Sequence, residues 1–270
     1  MIPPIAQADP SSVGVVVAGV GIGERQPIRV IAGPCSVESP EQFRETAVAV
    51  QAAGAALLRG GAFKPRTSPY SFQGLGERGL AIMREVADDL GMGVVTEAMS
   101  AQEIDAIARY AHMVQIGARN MDNRPLLEAA AASGLPVLLK RGLTATVEEV
   151  LAAAELIVDR GNHHVVICER GSRTFEPSTR NSVDIAAIPE VKLRSRLPVL
   201  IDPSHGTGRR DLVTPVALAG IAAGADGVIV EVHPHPEAAL SDGDQSLEAA
   251  AFPAFMGRVR AMALAVGRSG

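Results

Sequence analysis

The chain is expected to fold as an α/β protein, a (β/α)8 TIM barrel preceded by a short β-hairpin extension. Three observations lead there. Short apolar runs recur eight times, at 30–32, 56–58, 94–95, 113–116, 137–139, 165–167, 199–201 and 228–230. Amphipathic stretches separate them, at 41–53, 77–90, 101–110, 124–133, 146–160, 182–195, 212–223 and 245–266. No linker or change of composition interrupts the alternation. An open, doubly wound sheet is the competing arrangement, because strand order is not written in a single sequence.

Residues 1–28 belong to neither repeat. The run 13–20 is strand-like, and Gly19-Val20-Gly21-Ile22-Gly23-Glu24 superficially has the form of a nucleotide-binding loop. It fails that test, because Glu24 stands where the last glycine belongs and the chain runs on into a strand rather than a helix. A hairpin closing one end of the barrel is expected instead, with the barrel itself occupying 29–270. Ser39, Ser100, Asp122 and Thr144 or Thr146 are the expected N-caps. Gly54, Gly91, Gly134, Gly161 and Gly224 are the expected helix stops. Aromatic residues make up only 3% of the chain and hydrophobic residues 47%, so the core must be built from Ala, Val, Ile and Leu. Those residues suit parallel strands covered by helices.

The totals exclude several classes. A formal charge of −5 argues against nonspecific nucleic-acid binding, which needs a basic surface. No apolar run is long enough to span a membrane, and the first residues lack the pattern of a secretory signal. Two cysteines, Cys35 and Cys168, are too few for a disulfide scaffold. A cytoplasmic protein acting on small molecules is the expectation.

In such a barrel the active site forms at the carboxyl ends of the strands. The residues just beyond the apolar runs fall into two sets. One is cationic: Arg59, Lys64, Arg66, Arg119, Lys140, Arg170 and Arg209. Any one of these is readily explained by a structural carboxylate partner, but seven around one opening of an acidic protein point to dianionic ligands. The other set holds metal-ligand types: Cys35, His205, Glu231 and Asp242. They follow the first, seventh and eighth strands, which adjoin one another in a closed barrel. One sulfur, one nitrogen and two carboxylates suit a divalent transition metal better than a magnesium cage. Alone, Cys35 reads as a small buried hydrophobe and His205 as a turn histidine; only the quartet carries weight.

The motifs are Ile31-Ala-Gly-Pro-Cys-Ser36, Leu58-Arg-Gly-Gly61, Lys64-Pro-Arg-Thr-Ser68, Gln115-Ile-Gly-Ala-Arg-Asn120, Leu139-Lys-Arg-Gly142, Cys168-Glu-Arg-Gly171, Asp202-Pro-Ser-His-Gly206 and Glu231-Val-His-Pro234 with Ser241-Asp-Gly243. Together, from about Arg29 to Leu247, they resemble the 3-deoxy-D-arabino-heptulosonate 7-phosphate (DAHP) synthases of the compact microbial type I beta, which share their core with the 3-deoxy-octulosonate 8-phosphate synthases. The resemblance implies a transferase of the shikimate pathway to aromatic amino acids, condensing phosphoenolpyruvate with erythrose 4-phosphate. It implies that Arg59, Lys64, Arg119, Lys140 and Arg170 hold phosphoenolpyruvate, and that Arg66, Thr67, Ser68 and Arg209 hold the aldose phosphate. Cys35, His205, Glu231 and Asp242 would bind one divalent metal, Mn2+ first, with Fe2+, Co2+ or Zn2+ as alternatives. Lys64, Lys140 and Glu97 join Cys35 and His205 as catalytic candidates, Glu97 and Lys140 as proton handlers. A homo-oligomer, dimer or tetramer, is implied as well. The 28 residues before the barrel are too few for a small regulatory domain, so little inhibition by aromatic amino acids is expected of this chain alone.

Lys64-Pro-Arg-Thr-Ser68 has the form typical of erythrose 4-phosphate users, where the octulosonate enzymes, which take arabinose 5-phosphate, generally carry an Ala-Asn-Arg version. A metal-free barrel aldolase forming a Schiff base on Lys140 is a further alternative, which leaves the Cys, His, Glu, Asp set without a task. A non-enzymatic sensor is another, and it predicts losses from that set. His233 reads either as a participant or as a structural imidazole, His235 as a loop residue, and Cys168 as packing.

Overall fold

Alternation decides the first element. In the computed structural model, which describes residues 14–64 and 70–270, Val15–Val17 (β1) pairs antiparallel with Val20–Ile22 (β2). Val15, Val17 and Ile22 are buried while Val16 is exposed, as a period of two requires. The buried face joins Ile31, Leu57, Met113, Leu138 and Ile229 in one apolar cluster inside the barrel. The hairpin therefore plugs the floor. Gly93 shows how close it sits, since a Cβ there would stand 2.7 Å from both Ala18 Cβ and Leu57 Cδ2.

Eight parallel strands follow: Arg29–Gly33 (β3), Leu57–Arg59 (β4), Gly93–Ala98 (β5), Met113–Ile116 (β6), Val137–Lys140 (β7), Val165–Glu169 (β8), Val199–Ile201 (β9) and Gly227–His233 (β10). Each pairs with the next, and β10 pairs with both β9 and β3, so the sheet closes. The open sheet is excluded. Nearly every strand residue is buried on both faces, which is why the runs read as continuous rather than alternating. A two-residue strand, Leu247–Glu248 (β11), lies parallel to β10.

The helices are Pro40–Ala53 (α1), Glu77–Leu90 (α2), Ile104–Tyr110 (α3), Arg124–Ala132 (α4), Val147–Asp159 (α5), Ala187–Arg194 (α6), Pro203–Thr207 (α7), Arg210–Ala222 (α8) and Phe252–Ala265 (α9). Ser39 caps α1 by accepting from Gln42 N, and Thr146 with Glu149 forms a reciprocal capping box on α5. Asn123, rather than Asp122, caps α4. Two helices start later than the sequence pattern predicts. Residues 182–186 are spent on the rim, where Ser182 pairs with Ser172 and Asp184 takes Arg141. Gln245 and β11 are likewise committed before α9 opens at Phe252. Among the described residues no helix is long and apolar enough to cross a membrane.

A latch fastens the plug. Arg268 Nη2 donates to Gly23 O and Gln26 O, each at 2.6 Å, and its Nη1 donates to Asp226 Oδ1 at 3.0 Å. Ser269 O accepts from Ile28 N at 2.7 Å. Asp226 is fully buried and also takes Lys192 Nζ at 2.9 Å. Arg268→Ala is expected to cost about 1–3 kcal/mol in urea unfolding, because buried acceptors lose a charged donor. Turnover by the folded fraction should not change, since the latch lies at the end opposite the polar rim; a fall in kcat without unfolding would contradict this placement.

Candidate active site and metal centre

Cys35 lies just beyond β3, His205 within α7 after β9, Glu231 inside β10, and Asp242 in the loop that follows β10. Closure of the barrel makes these four neighbours. One donor atom each from Cys35, Glu231 and Asp242 falls within 4.8 Å of the other two. Cys35 Sγ is 3.2 Å from Asp242 Oδ2 and 3.0 Å from Lys64 Nζ. His205 Nε2 is 3.3 Å from Glu231 Oε1. Sequence motifs separated by up to 207 residues thus meet at one point.

The electrostatics fit a cation. Burial and the nearby Glu231 push the Cys35 thiol up to about 12, so it keeps its proton until a positive charge displaces it. Burial alone would raise the Glu231 carboxyl, but His205 and Arg59 outweigh it and bring the group down to about 2. Burial alone would lower the Arg59 guanidinium, yet Glu231, 2.5 Å from it, raises it instead. Asp202 is held well below the usual carboxylate range by His205 and Lys140 despite its burial. Its Oδ2 receives His205 Nδ1 at 2.8 Å and Lys140 Nζ at 2.5 Å. The Asp202 carboxylate on Nδ1 fixes the orientation of the ring. His205 Nε2 stands 3.3 Å from Glu231 Oε1, close enough for a proton or a shared cation to join the two atoms. A mixed sulfur, nitrogen and oxygen set of this kind fits a divalent transition metal.

Beside this cluster opens a cavity of about 260 Å³. Lys64, Arg119, Lys140 and Arg170 line it, together with Glu97 and His205. Arg170 is buried, and among the described residues its Nη1 has no hydrogen-bond partner. Arg59 Nε is similarly buried and unpartnered. Polar atoms in that state cost free energy unless a ligand completes them. Lys140 Nζ is committed to Asp202 Oδ2 at 2.5 Å, which occupies the nitrogen that Schiff-base chemistry would use.

Most of the expected residues converge. Arg66, Thr67 and Ser68 lie outside the described residues. Arg209 is not among the cavity residues; it is exposed and forks onto Asp211 at 2.6 and 3.1 Å. His233 faces Glu38 at 3.5 Å with its Nδ1 accepting from His235 N, and Cys168 packs in the barrel interior. Asp202, Arg180, Gln245 and Gln115 are site residues that sequence reasoning passed over. Asp202 was within reach, being the residue that opens the His205 turn. Gln115 Nε2 donates to Glu97 Oε2 at 3.2 Å and fixes that carboxylate in the cavity.

A closed barrel with cations and metal-type donors crowded at its strand ends is an enzyme for small, multiply charged anions. The chain belongs to the DAHP synthetase I family, whose profile matches residues 6–264, and it is a transferase. It is 55% identical to phospho-2-dehydro-3-deoxyheptonate aldolase of Thermotoga maritima over 238 residues, 88% of this chain and 70% of that one. A crystal structure of phospho-2-dehydro-3-deoxyheptonate aldolase (DAHP synthase) from Thermotoga maritima superposes with a TM-score of 0.91 at 51% identity, covering 94% of this chain and 74% of that one. A truncated 3-deoxy-D-arabino-heptulosonate 7-phosphate synthase from the same organism gives 0.91 at 46% identity and covers 98% of both chains. More distant is 2-dehydro-3-deoxyphosphooctonate aldolase of Nitrobacter hamburgensis, 33% identical over 270 residues, 93% of each chain.

Proposed function

We propose that the chain is a metal-dependent DAHP synthase, condensing phosphoenolpyruvate with erythrose 4-phosphate to give DAHP and inorganic phosphate. The observation that carries this reading is the meeting of Cys35, Glu231 and Asp242 donor atoms within 4.8 Å, beside a cavity that Asp242 lines together with Lys64, Arg119, Lys140 and Arg170. Cys35, His205, Glu231 and Asp242 hold the metal, with Mn2+ the first candidate and Fe2+, Co2+ and Zn2+ the others. When bound, it supplies Lewis acidity to the aldehyde oxygen.

The side chains do the rest. Arg170, Arg119, Lys140 and Lys64 neutralise the phosphate and carboxylate of phosphoenolpyruvate, and Arg59 backs the same pocket. Arg66, Thr67 and Ser68 take the aldose phosphate. Holding two like-charged substrates in contact turns an unfavourable encounter into a positioned reaction. C3 of phosphoenolpyruvate forms a bond to the aldehyde carbon, whose oxygen takes up a proton. Water adds at C2 and loses a proton; the C2–O bond to phosphate then breaks with the electron pair leaving on phosphate, and the C2 hydroxyl gives its remaining proton to the departing phosphate to become the ketone. Glu97 receives the proton from the attacking water. Lys140, held in place by Asp202, serves the opposite proton transfer.

The deciding assay offers phosphoenolpyruvate with either erythrose 4-phosphate or arabinose 5-phosphate, with and without Mn2+. Activity with the four-carbon aldose that EDTA abolishes is the expected result. Preference for the five-carbon aldose, or EDTA-resistant turnover trapped by borohydride, would overturn it.

Gly117 offers a separate check on Glu97. A Cβ at Gly117 would stand 1.9 Å from Glu97 Oε1, so Gly117→Ala must push that carboxylate aside. Its kcat should fall in parallel with Glu97→Gln, which is expected to lose about 100-fold or more, with the KM for phosphoenolpyruvate little changed. Normal turnover by Gly117→Ala would remove Glu97 from the mechanism.

A further inference from the structure

Gln245 is buried and is not among the residues lining the cavity, yet it touches the metal centre. Its amide lies between two groups of fixed polarity. Arg180 Nη1 donates to Gln245 Oε1 at 2.9 Å, and Gln245 Nε2 donates to Glu231 Oε2 at 2.6 Å. A guanidinium only donates and an ionised carboxylate only accepts, so an amide meets both demands in one orientation. Leu would meet neither, and Glu would set a second carboxylate against Glu231.

The same Arg180 nitrogen reaches Asp242 Oδ1 at 3.4 Å, while Asp242 Oδ2 faces Cys35 Sγ at 3.2 Å. Glu231 is divided in the same way. Its Oε2 is tied to Gln245, while its Oε1 accepts from Arg59 Nη1 at 2.5 Å and faces His205 Nε2 at 3.3 Å. Each carboxylate therefore has one oxygen held from the Arg180–Gln245 side and the other on the side of the donor cluster, where Arg59 also holds Glu231 Oε1. The loop carrying Asp242 has a further tie in the Ser246 Oγ bond to Asp242 O, 3.0 Å long, so the Gln245 amide is not what holds that loop together.

We propose that Gln245 and Arg180 are positioning residues that orient Glu231 and Asp242 for a divalent cation and link the β8–α6 loop to the metal centre. This rests on the reading of Cys35, His205, Glu231 and Asp242 as metal ligands. Partners that orient carboxylate ligands are worth about 10- to 100-fold in metal affinity.

Calorimetric titration with Mn2+ alone, without substrate, tests the idea. Gln245→Leu is expected to bind Mn2+ about 10- to 100-fold more weakly, and its metal-free melting temperature should fall as well, because buried Glu231 Oε2 loses its donor. At Co2+ saturation the Cys35 thiolate charge-transfer band should persist while the ligand-field bands shift. Arg180→Met, at a partly exposed position that folds readily, should weaken Mn2+ binding in the same direction. Arg180→Lys, which keeps a donor for Gln245 Oε1, should recover most of the loss. Mn2+ binding by Gln245→Leu within twofold of the unmodified protein overturns the proposal. So do Co2+ ligand-field bands that stay where the unmodified protein has them, or an Arg180→Lys variant no better than Arg180→Met. If the unmodified protein takes up neither Mn2+ nor Co2+, the metal reading itself falls and the inference falls with it.

Discussion

Glu231→Gln is expected to abolish the condensation and to weaken the fold at once. Glu231 and Arg59 are 1% and 4% exposed and 2.5 Å apart, deep in the barrel mouth. Removing the charge from one partner of such a pair leaves the other as an uncompensated buried ion, which costs about 3 kcal/mol or more. Activity should fall at least roughly 1000-fold, because losing a ligand forfeits several kcal/mol of stabilisation where charge develops. Urea unfolding and kinetics on the same preparations give both numbers. Arg59→Met should destabilise similarly. The double change of Arg59→Met with Glu231→Leu should restore much of the stability and none of the activity, since an apolar pair avoids the desolvation cost. A Glu231→Gln protein as stable as the parent would mean that solvent reaches Arg59 after all.

The same burial explains what was and was not legible in the sequence. Barrel strands are covered on both faces, so their apolar runs stand out, and all eight strands fall on those runs. The hairpin was legible as the strand-like run at 13–20, although the turn falls inside that run and the second strand extends to Ile22. Helix starts at 182 and 245 were misplaced because rim residues there obey contacts with distant strands rather than helical periodicity. Cys35, Glu231 and Asp242, whose donor atoms gather within 4.8 Å, stood out because their types are unusual at strand ends. Arg180 and Gln245 carry no such signal: an arginine in a polar loop and a glutamine near a turn are common, and only the closed fold brings them to Glu231. Arg209 taught the opposite lesson. It has the right type and place in the chain, but Asp211, two residues on, offers a carboxylate closer than the cavity.

Arg170 gives the second large effect, and it has opposite signs for stability and function. The residue is 6% exposed, and among the described residues no carboxylate forms an ion pair with it. Burial lowers its guanidinium, and although Asp202 pulls the other way, Arg180 adds to the lowering. A cation left in that condition destabilises the ligand-free protein. Arg170→Met should therefore raise the unfolding free energy of the ligand-free enzyme by about 1 kcal/mol or more. The same variant should bind phosphoenolpyruvate roughly 30-fold more weakly or worse, because a buried charge pair with the ligand is worth about 2–5 kcal/mol. Arg119→Met is the contrast: Arg119 is exposed, so its loss should raise KM with no gain in stability. Denaturation without ligand, followed by equilibrium binding of phosphoenolpyruvate, separates the two effects. A less stable Arg170→Met protein would show that the guanidinium belongs to the fold, and the cavity would lose its strongest claim to an anionic substrate.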